Sequence, residues 1–138
     1  MRVVEGKYMS IIIQKFDEKI TFNSTAFLEI QFCKINDKKW GKKEFEVRNI
    51  KYGAQDSLYV YHFDIDEFLA EYGEIFVQGE YVNHKTGYID PFGVTYFPKE
   101  RIDDFIQRIF VSRPIDYEIM IEWLNEALKY NGINFLGL

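Results

Sequence analysis

The feature that most constrains the fold of this chain is a pair of amphipathic helical patterns between residues 98 and 128. In the first, apolar residues recur at helical spacing and predict one buried face, which consists of Ile102, Phe105, Ile106, Ile109 and Phe110. The second predicts a buried face of Ile119, Met120, Trp123, Leu124, Ala127 and Leu128. Pro98 suits a first helical turn, Pro114 separates the two helices, and Asp116 is the predicted N-cap of the second. Two one-sided helices require an apolar layer on which to pack.

Most of the remaining chain reads as short strands that supply such a layer. Alternating apolar and polar residues between turn residues predict strands at 8–16, 20–22, 26–35, 44–50, 57–63, 74–82, 88–89, 94–97 and 133–138. One short helix follows Asp64, which is a predicted N-cap with Glu67 completing a capping box. The predicted fold class is therefore α+β, a mainly antiparallel β-sheet with one short central helix and two C-terminal helices packed against it.

Length and composition predict a simple organisation. A chain of 138 residues fits one α+β domain spanning 1–138. The apolar run Ile11–Ile13 is too short for a signal peptide, and no run approaches the roughly 18 residues of a membrane span. Cys33 is the single cysteine, which argues against a disulfide framework. We therefore expect a soluble, cytoplasmic protein.

The net charge of −5 conceals an asymmetry along the chain. Residues 52–138 carry six Lys and Arg against 15 Asp and Glu, a formal charge of −9, whereas residues 1–51 carry +4. Two acidic groups stand out, one on the short central helix and one on the last helix: Asp64, Asp66, Glu67, Glu71 and Glu74, and Glu118, Glu122 and Glu126. Like charges four residues apart disfavour a helix slightly. They predict either a docking face for a basic protein or a surface that keeps the domain soluble.

Motifs for catalysis or metal binding are weak. His62, Asp64 and Asp66 share an alternating spacing, but Asp64 already has a predicted capping role. His84 could pair with Glu80 or Asp90, although their spacing does not require it. The chain has no phosphate-binding loop, dinucleotide fingerprint or nucleophile elbow. We therefore expect no enzymatic activity, no cofactor and no metal.

Two other functions remain open from the residues alone. A loop with lysines on both sides of Trp40 could hold phosphate and stack on a base, but the acidic net charge opposes nucleic acid; its lysines are Lys38, Lys39, Lys42 and Lys43. An aromatic pocket near Tyr59, Tyr61 and His62 would instead indicate a small-molecule-binding or enzymatic α+β domain.

Several stretches near the C-terminus carry a family resemblance. They read DPFGVTYFP at 90–98, RPIDYE at 113–118, WL at 123–124 and FLGL at 135–138. Over roughly the last 50 residues the chain resembles small bacterial immunity proteins, which neutralise toxins of the contact-dependent growth inhibition and polymorphic toxin type.

The resemblance implies a cytoplasmic binding protein whose partner is a cognate toxin. The expected toxin is a nuclease domain, and many such toxins are basic. Neither nucleic acid nor a membrane is an expected partner. The matching stretches consist of turns, caps and core positions, so they assign no binding residue. The toxin-contacting residues that we predict are the two acidic groups defined above. The sequence leaves open the toxin's activity, the oligomeric state, and whether the toxin's active site or a remote site is blocked.

Overall fold

The structure of the protein is a computed structural model that describes residues 3–4, 7–8, 10–14, 26–34 and 50–137. The first predicted hairpin, residues 8–22, lies only partly within these ranges. The lysine loop and residues 44–49 lie outside them. No helix among the described residues is long and apolar enough to cross a membrane.

A six-stranded antiparallel sheet organises the described chain. A separate pair, β1 (Val3–Val4) and β2 (Lys7–Tyr8), forms its own two-stranded sheet. The large sheet consists of β3 (Phe27–Phe32), β4 (Leu58–Tyr61), β5 (Gly79–Tyr81), β6 (Thr86–Gly87), β7 (Val94–Pro98) and β8 (Gly132–Leu136). Its spatial order is β4-β3-β8-β7-β5-β6. The last strand is therefore central, and all five of its residues are buried, including the polar Asn134.

Within the described ranges, three helices pack against one face of this sheet. They are α1 (Ile65–Tyr72), α2 (Ile102–Ser112) and α3 (Tyr117–Ala127). Aromatic rings fill the space between the layers, and Phe76 lies 4.8–5.8 Å from the ring centres of Phe97, Phe105 and Phe135. The predicted fold class is confirmed: a mainly antiparallel sheet with one short central helix and two C-terminal helices.

The start of α1 differs from its predicted capping box. The strand predicted at 57–63 ends at Tyr61, and His62–Asp64 form a 3-10 turn. The amide of Ile65, the first residue of α1, donates to the carbonyl oxygen of His62. The turn therefore already satisfies one of the backbone amides at the start of the helix. Asp64 occupies the N-cap position, but its side chain makes no capping hydrogen bond. The predicted capping box is therefore wrong.

The segment after α1 is a turn, and the strand predicted at 74–82 is wrong for all but Gly79–Tyr81. The amides of Ile75 and Phe76 donate to the carbonyl oxygen of Tyr72 at 2.9 and 3.2 Å, which coils the chain back toward the helix. Both side chains are buried. The adjacent apolar residues Ile75 and Phe76 suggested a strand, but their side chains fill the core below α1.

The buried face of α2 is narrower than predicted. Ile102, Phe105 and Ile109 are buried and Ile106 is half-buried, but Phe110 is 58% exposed. Since each helical residue turns by about 100°, Phe110 lies roughly 100° from the centre of the face that the three buried residues define. Its assignment to the core is wrong. On α3 the predicted face is largely confirmed, with Ile119 and Leu128 half-buried at its margins.

Asp116 precedes α3 as predicted, but its side chain does not cap that helix. It adopts φ 62°, in the left-handed region, where Asp is among the few tolerated non-glycine residues. The carboxylate accepts hydrogen bonds from the amides of Ile11 and Ile12 at 2.7 and 2.9 Å, and from the hydroxyl of Ser10 at 2.9 Å. Asp116 therefore does not cap α3 but anchors residues 10–12, which are distant in sequence.

The second face of the sheet carries polar side chains. Strand register places Glu29 opposite Tyr59 and Leu136, and places Asn134 opposite Gln31 and Tyr96. Because paired residues of antiparallel strands point to the same side, these residues form two rows across the face away from the helices. Residues 50–57 connect to β4 and contact this second face, so it is not simply a solvated surface.

Candidate functional site

The predicted acidic group on α1 is only partly available to a partner. Asp66 and Glu74 are exposed, and Glu67 is half-buried. Asp64 is 2% exposed, so it is not part of an outer surface in this structure. Glu71 is half-buried, and one of its carboxylate oxygens accepts the amide of Ile115 at 2.8 Å. The structure therefore leaves Asp66, Glu67 and Glu74 as the outward carboxylates of this group.

A junction joins the end of α1 to the beginning of α3. Ile115 lies just before α3, and its carbonyl oxygen accepts the hydroxyl of Tyr72 at 2.5 Å while its amide donates to Glu71. Burial, followed by the charges of Asp116 and Glu71, raises the pKa of Tyr72 above its ordinary value. Tyr72 therefore stays a protonated donor at neutral pH, and the two acidic helices are held together at this point.

The three glutamates of α3 form an exposed row. Glu118, Glu122 and Glu126 all face outward, opposite the buried residues Met120, Trp123, Leu124 and Ala127. Glu126 pairs with Lys129 at 3.1 Å. Within the described part of the chain, no Lys or Arg lies within ion-pair distance of Glu118 or Glu122. Among the described residues, only Glu126 of this row therefore has a cationic partner.

Aromatic side chains adjoin the acidic end of α1. Phe63 is 61% exposed and lies just before the helix. Its ring stacks on Tyr61 at 5.0 Å, and Tyr61 in turn packs on Phe27 at 5.1 Å. We refer to Phe27, Tyr61 and Phe63 as the aromatic ladder. The ladder therefore places a partly exposed apolar surface just before the helix that carries Asp66 and Glu67.

Glu29 is a buried carboxylate that sequence reasoning missed. It is 4% exposed and organises the connection before β4. Its oxygens accept the amides of Gly53 and Ala54 at 2.8 and 3.2 Å and the hydroxyl of Ser57 at 2.7 Å. Gln31 donates to it at 3.1 Å. A glutamate on the polar side of an alternating strand is usually solvated, so the strand pattern gave no signal for this arrangement.

The residues of the predicted aromatic site, Tyr59, Tyr61 and His62, lie in different surroundings. Tyr59 is buried, and its hydroxyl lies 2.5 Å from the carbonyl oxygen of Ala54. Burial, and next the charge of Glu29, raise the pKa of Tyr59 above its ordinary value. His62 is exposed on the 3-10 turn. Tyr61 is half-buried, so the three side chains differ in burial.

One cavity lies on the second face of the sheet, the face away from the helices. It has a volume of about 390 Å³ and opens between the end of β3 and the connection formed by residues 50–56. Asn134 of β8 and Gln31 of β3 line it, together with Lys34 and Asp56. The ammonium of Lys34 lies 2.8 Å from the carboxylate of Asp56, which raises the pKa of Lys34. The cavity thus combines amide groups with a neutralised ion pair.

Within the described ranges, no group of three His, Cys, Asp or Glu residues is placed to hold a metal ion. His84 lies 3.2 Å from Glu80 at an exposed turn, whereas Asp90 instead accepts the amide of Phe92. Cys33 is buried.

Comparison with known proteins finds no matching family model, no matching curated protein and no matching solved structure.

Proposed function

We propose that this protein is an immunity protein that binds and neutralises a cognate bacterial toxin domain, a basic nuclease being the expected target. It acts by protein–protein contact and not by catalysis. Three features support the proposal: the C-terminal resemblance, the charge of −9 over residues 52–138, and an outward acidic surface on two joined helices.

The exposed row Glu118, Glu122 and Glu126 is the observation that carries the proposal. Glutamates at this spacing repel one another and cost a few tenths of a kcal/mol per pair in an isolated helix. A basic partner would reverse that repulsion, because each carboxylate would then face a positive charge. Such complementarity accelerates association and disfavours acidic competitors.

The aromatic ladder gives this surface an apolar anchor. Buried aromatic residues contribute much of the binding energy in protein interfaces, whereas charges at the rim mainly control rate and specificity. Phe63 is exposed and lies three and four residues before Asp66 and Glu67, a spacing at which one partner can cover an apolar ring and two carboxylates together. Its ring face can also accept Lys or Arg from a basic partner.

The proposal is tested with the protein encoded immediately upstream in the source genome. The full chain is co-expressed with the C-terminal domain of that neighbour, and a stable complex is expected by affinity capture and size exclusion. Growth is expected to be restored when the neighbour alone is toxic. Failure of the neighbour to bind, or the absence of any toxin gene beside this one, would sink the proposal.

A matched pair of variants locates the surface. Glu118→Gln, Glu122→Gln and Glu126→Gln together remove three charges from α3. The control, called the α2 variant, removes three charges from the start of α2 and the 3-10 turn just before it: Glu100→Gln, Asp103→Asn and Asp104→Asn. All six are exposed, so both variants are expected to fold. We expect the α3 variant to weaken capture and the α2 variant to retain it. Equal loss in both would indicate that only overall charge matters.

A further inference from the structure

Exposed apolar side chains gather at one end of the large sheet. Tyr52, Val82 and Phe92 are 60%, 41% and 75% exposed, and all three line one open groove. The groove lies at the end of β5 and beside the start of β7, because Tyr81 and Val94 also line it. We refer to it as the sheet-end groove. Single exposed apolar residues need no explanation, whereas a group of them around one concave surface often marks a binding site.

The size and composition of the sheet-end groove suit a small molecule. Its volume is about 540 Å³, which falls within the range of sites that hold such ligands. Three of the side chains that line it are aromatic, namely Tyr52, Tyr81 and Phe92. The face of an aromatic ring carries partial negative charge and attracts cations. This lining therefore favours a positively charged ligand over an anion.

Asp90 adds a full negative charge to the lining of the groove. Its Oδ1 atom accepts the amide of Phe92 at 2.9 Å. Its Oδ2 atom lies beside Gly93, which also lines the groove, and a Cβ atom on this glycine would come within 2.6 Å of Oδ2. Burial, and next the charge of Asp90, raise the pKa of Tyr81, so the carboxylate acts on another wall of the groove. No Lys or Arg among the described residues lines the groove to offset this charge.

We infer that the sheet-end groove binds a small organic cation, and that a quaternary ammonium group fits it best. A quaternary ammonium has no N–H group and holds water less strongly than a primary ammonium does, which lowers the cost of its entry into an aromatic groove. The positive group contacts the rings of Tyr52 and Phe92 and pairs with Asp90. None of the described residues that line the groove belongs to α1 or α3, so the inference does not rest on toxin binding.

The first test compares choline with neohexyl alcohol, the neutral analogue in which a carbon atom replaces the nitrogen of choline. Each compound is titrated into isotopically labelled full-length protein while the backbone amide signals of Gly93 and Gly137, two lining residues, are followed by NMR. We expect choline to shift both signals to saturation. The alcohol should bind about tenfold more weakly, because it makes neither the ion pair nor the cation–π contact. Unshifted signals with choline, or equal binding of the two compounds, would overturn the inference.

Variants of the groove supply the second test, each with a matched control elsewhere. Asp90→Asn removes the charge but keeps an acceptor oxygen for the amide of Phe92, and Phe92→Leu shortens an exposed side chain, so both variants are expected to fold. We expect each to weaken choline binding by about two- to fivefold. Asp103→Asn and Phe110→Leu change exposed positions on α2 and should leave choline binding unchanged. Unchanged binding in both groove variants, or equal losses in the controls, would contradict the assignment of the site.

Discussion

At the scale of single residues, the carboxylates of this chain differ by what surrounds them. Glu29 is enclosed by backbone and hydroxyl donors, whereas Glu118 and Glu122 face water. Removing a buried carboxylate that receives several hydrogen bonds is costly, because its donors are then left buried without an acceptor. Charge alone therefore does not identify the residues that can meet a partner.

Replacing Glu29 by Gln tests its structural role. The substitution keeps the shape but turns one acceptor oxygen into an N–H₂ donor among the amides of Gly53 and Ala54 and the hydroxyl of Ser57. We expect the free energy of unfolding to fall by about 2–4 kcal/mol in urea titrations. Glu80→Gln, on a half-exposed position, is the control and should change it by less than about 0.5 kcal/mol. A similar small change for Glu29→Gln would contradict the assigned role.

Tyr72 predicts a loss of stability in alkali. Burial raises its pKa in the folded protein, whereas the unfolded chain releases this proton near pH 10. The folded state thus retains a proton that the unfolded state loses. The contribution of Tyr72 is complete below about pH 10, and stability falls by up to about 1.4 kcal/mol per pH unit above it.

The measurement is the free energy of unfolding of wild type and Tyr72→Phe between neutral and strongly alkaline pH. The variant is expected to be less stable at neutral pH, because the hydrogen bond to Ile115 is lost. Its stability should then decline less steeply above pH 10. Parallel curves for the two proteins would show that Tyr72 titrates alike in both states.

At the scale of elements, the turn before α3 joins distant parts of the chain. Asp116→Ala removes the acceptor for Ser10, Ile11 and Ile12, and it places a less suitable residue at φ 62°. We expect a loss of about 2–3 kcal/mol of stability and faster hydrogen exchange at the amides of Ile11 and Ile12. Asp103→Ala, an exposed control on α2, should change neither quantity. Unaltered exchange in Asp116→Ala would contradict the anchor.

Truncating a ring on the buried side of α2 should cost much more stability than truncating a ring on its exposed side. Phe105→Ala empties a space between Phe76 and Phe97 and should lower the free energy of unfolding by about 3–5 kcal/mol. Phe110→Ala truncates an exposed ring and should change it by less than about 0.5 kcal/mol. Urea titrations of both variants measure the difference. Similar losses would mean that Phe110 belongs to the core after all.

At the scale of the whole molecule, the sequence predicted the layers better than the contacts between them. Helical periodicity located α2 and α3, because their apolar residues recur with the period of the helix. Alternation of apolar and polar residues located β3 and β4, although the strand predicted at 57–63 extended beyond Tyr61. The order of the strands, with β8 at the centre, depends on pairings between distant residues that no local pattern encodes.

The candidate sites likewise divide into features that local patterns predict and features that depend on distant contacts. The row on α3 was predictable because three glutamates at four-residue spacing share one side of a helix. Glu29 and Asn134 were not, since their burial results from strands and a connection that meet only in the folded chain. Asp116 carried a correct local signal for a helix start. Its role as an anchor for residues 10–12 depends on a separation of more than 100 positions.

The binding role proposed for α3 is that its glutamates meet a basic partner. The rate constant of association with the upstream-encoded toxin domain, measured at increasing salt concentration, tests it most directly. Wild type and the triple α2 variant should associate fast at low salt and slow steeply as salt rises. The triple α3 variant should be slower at low salt, with a flatter dependence. Indistinguishable rates and salt dependences for the two triple variants would contradict the claim.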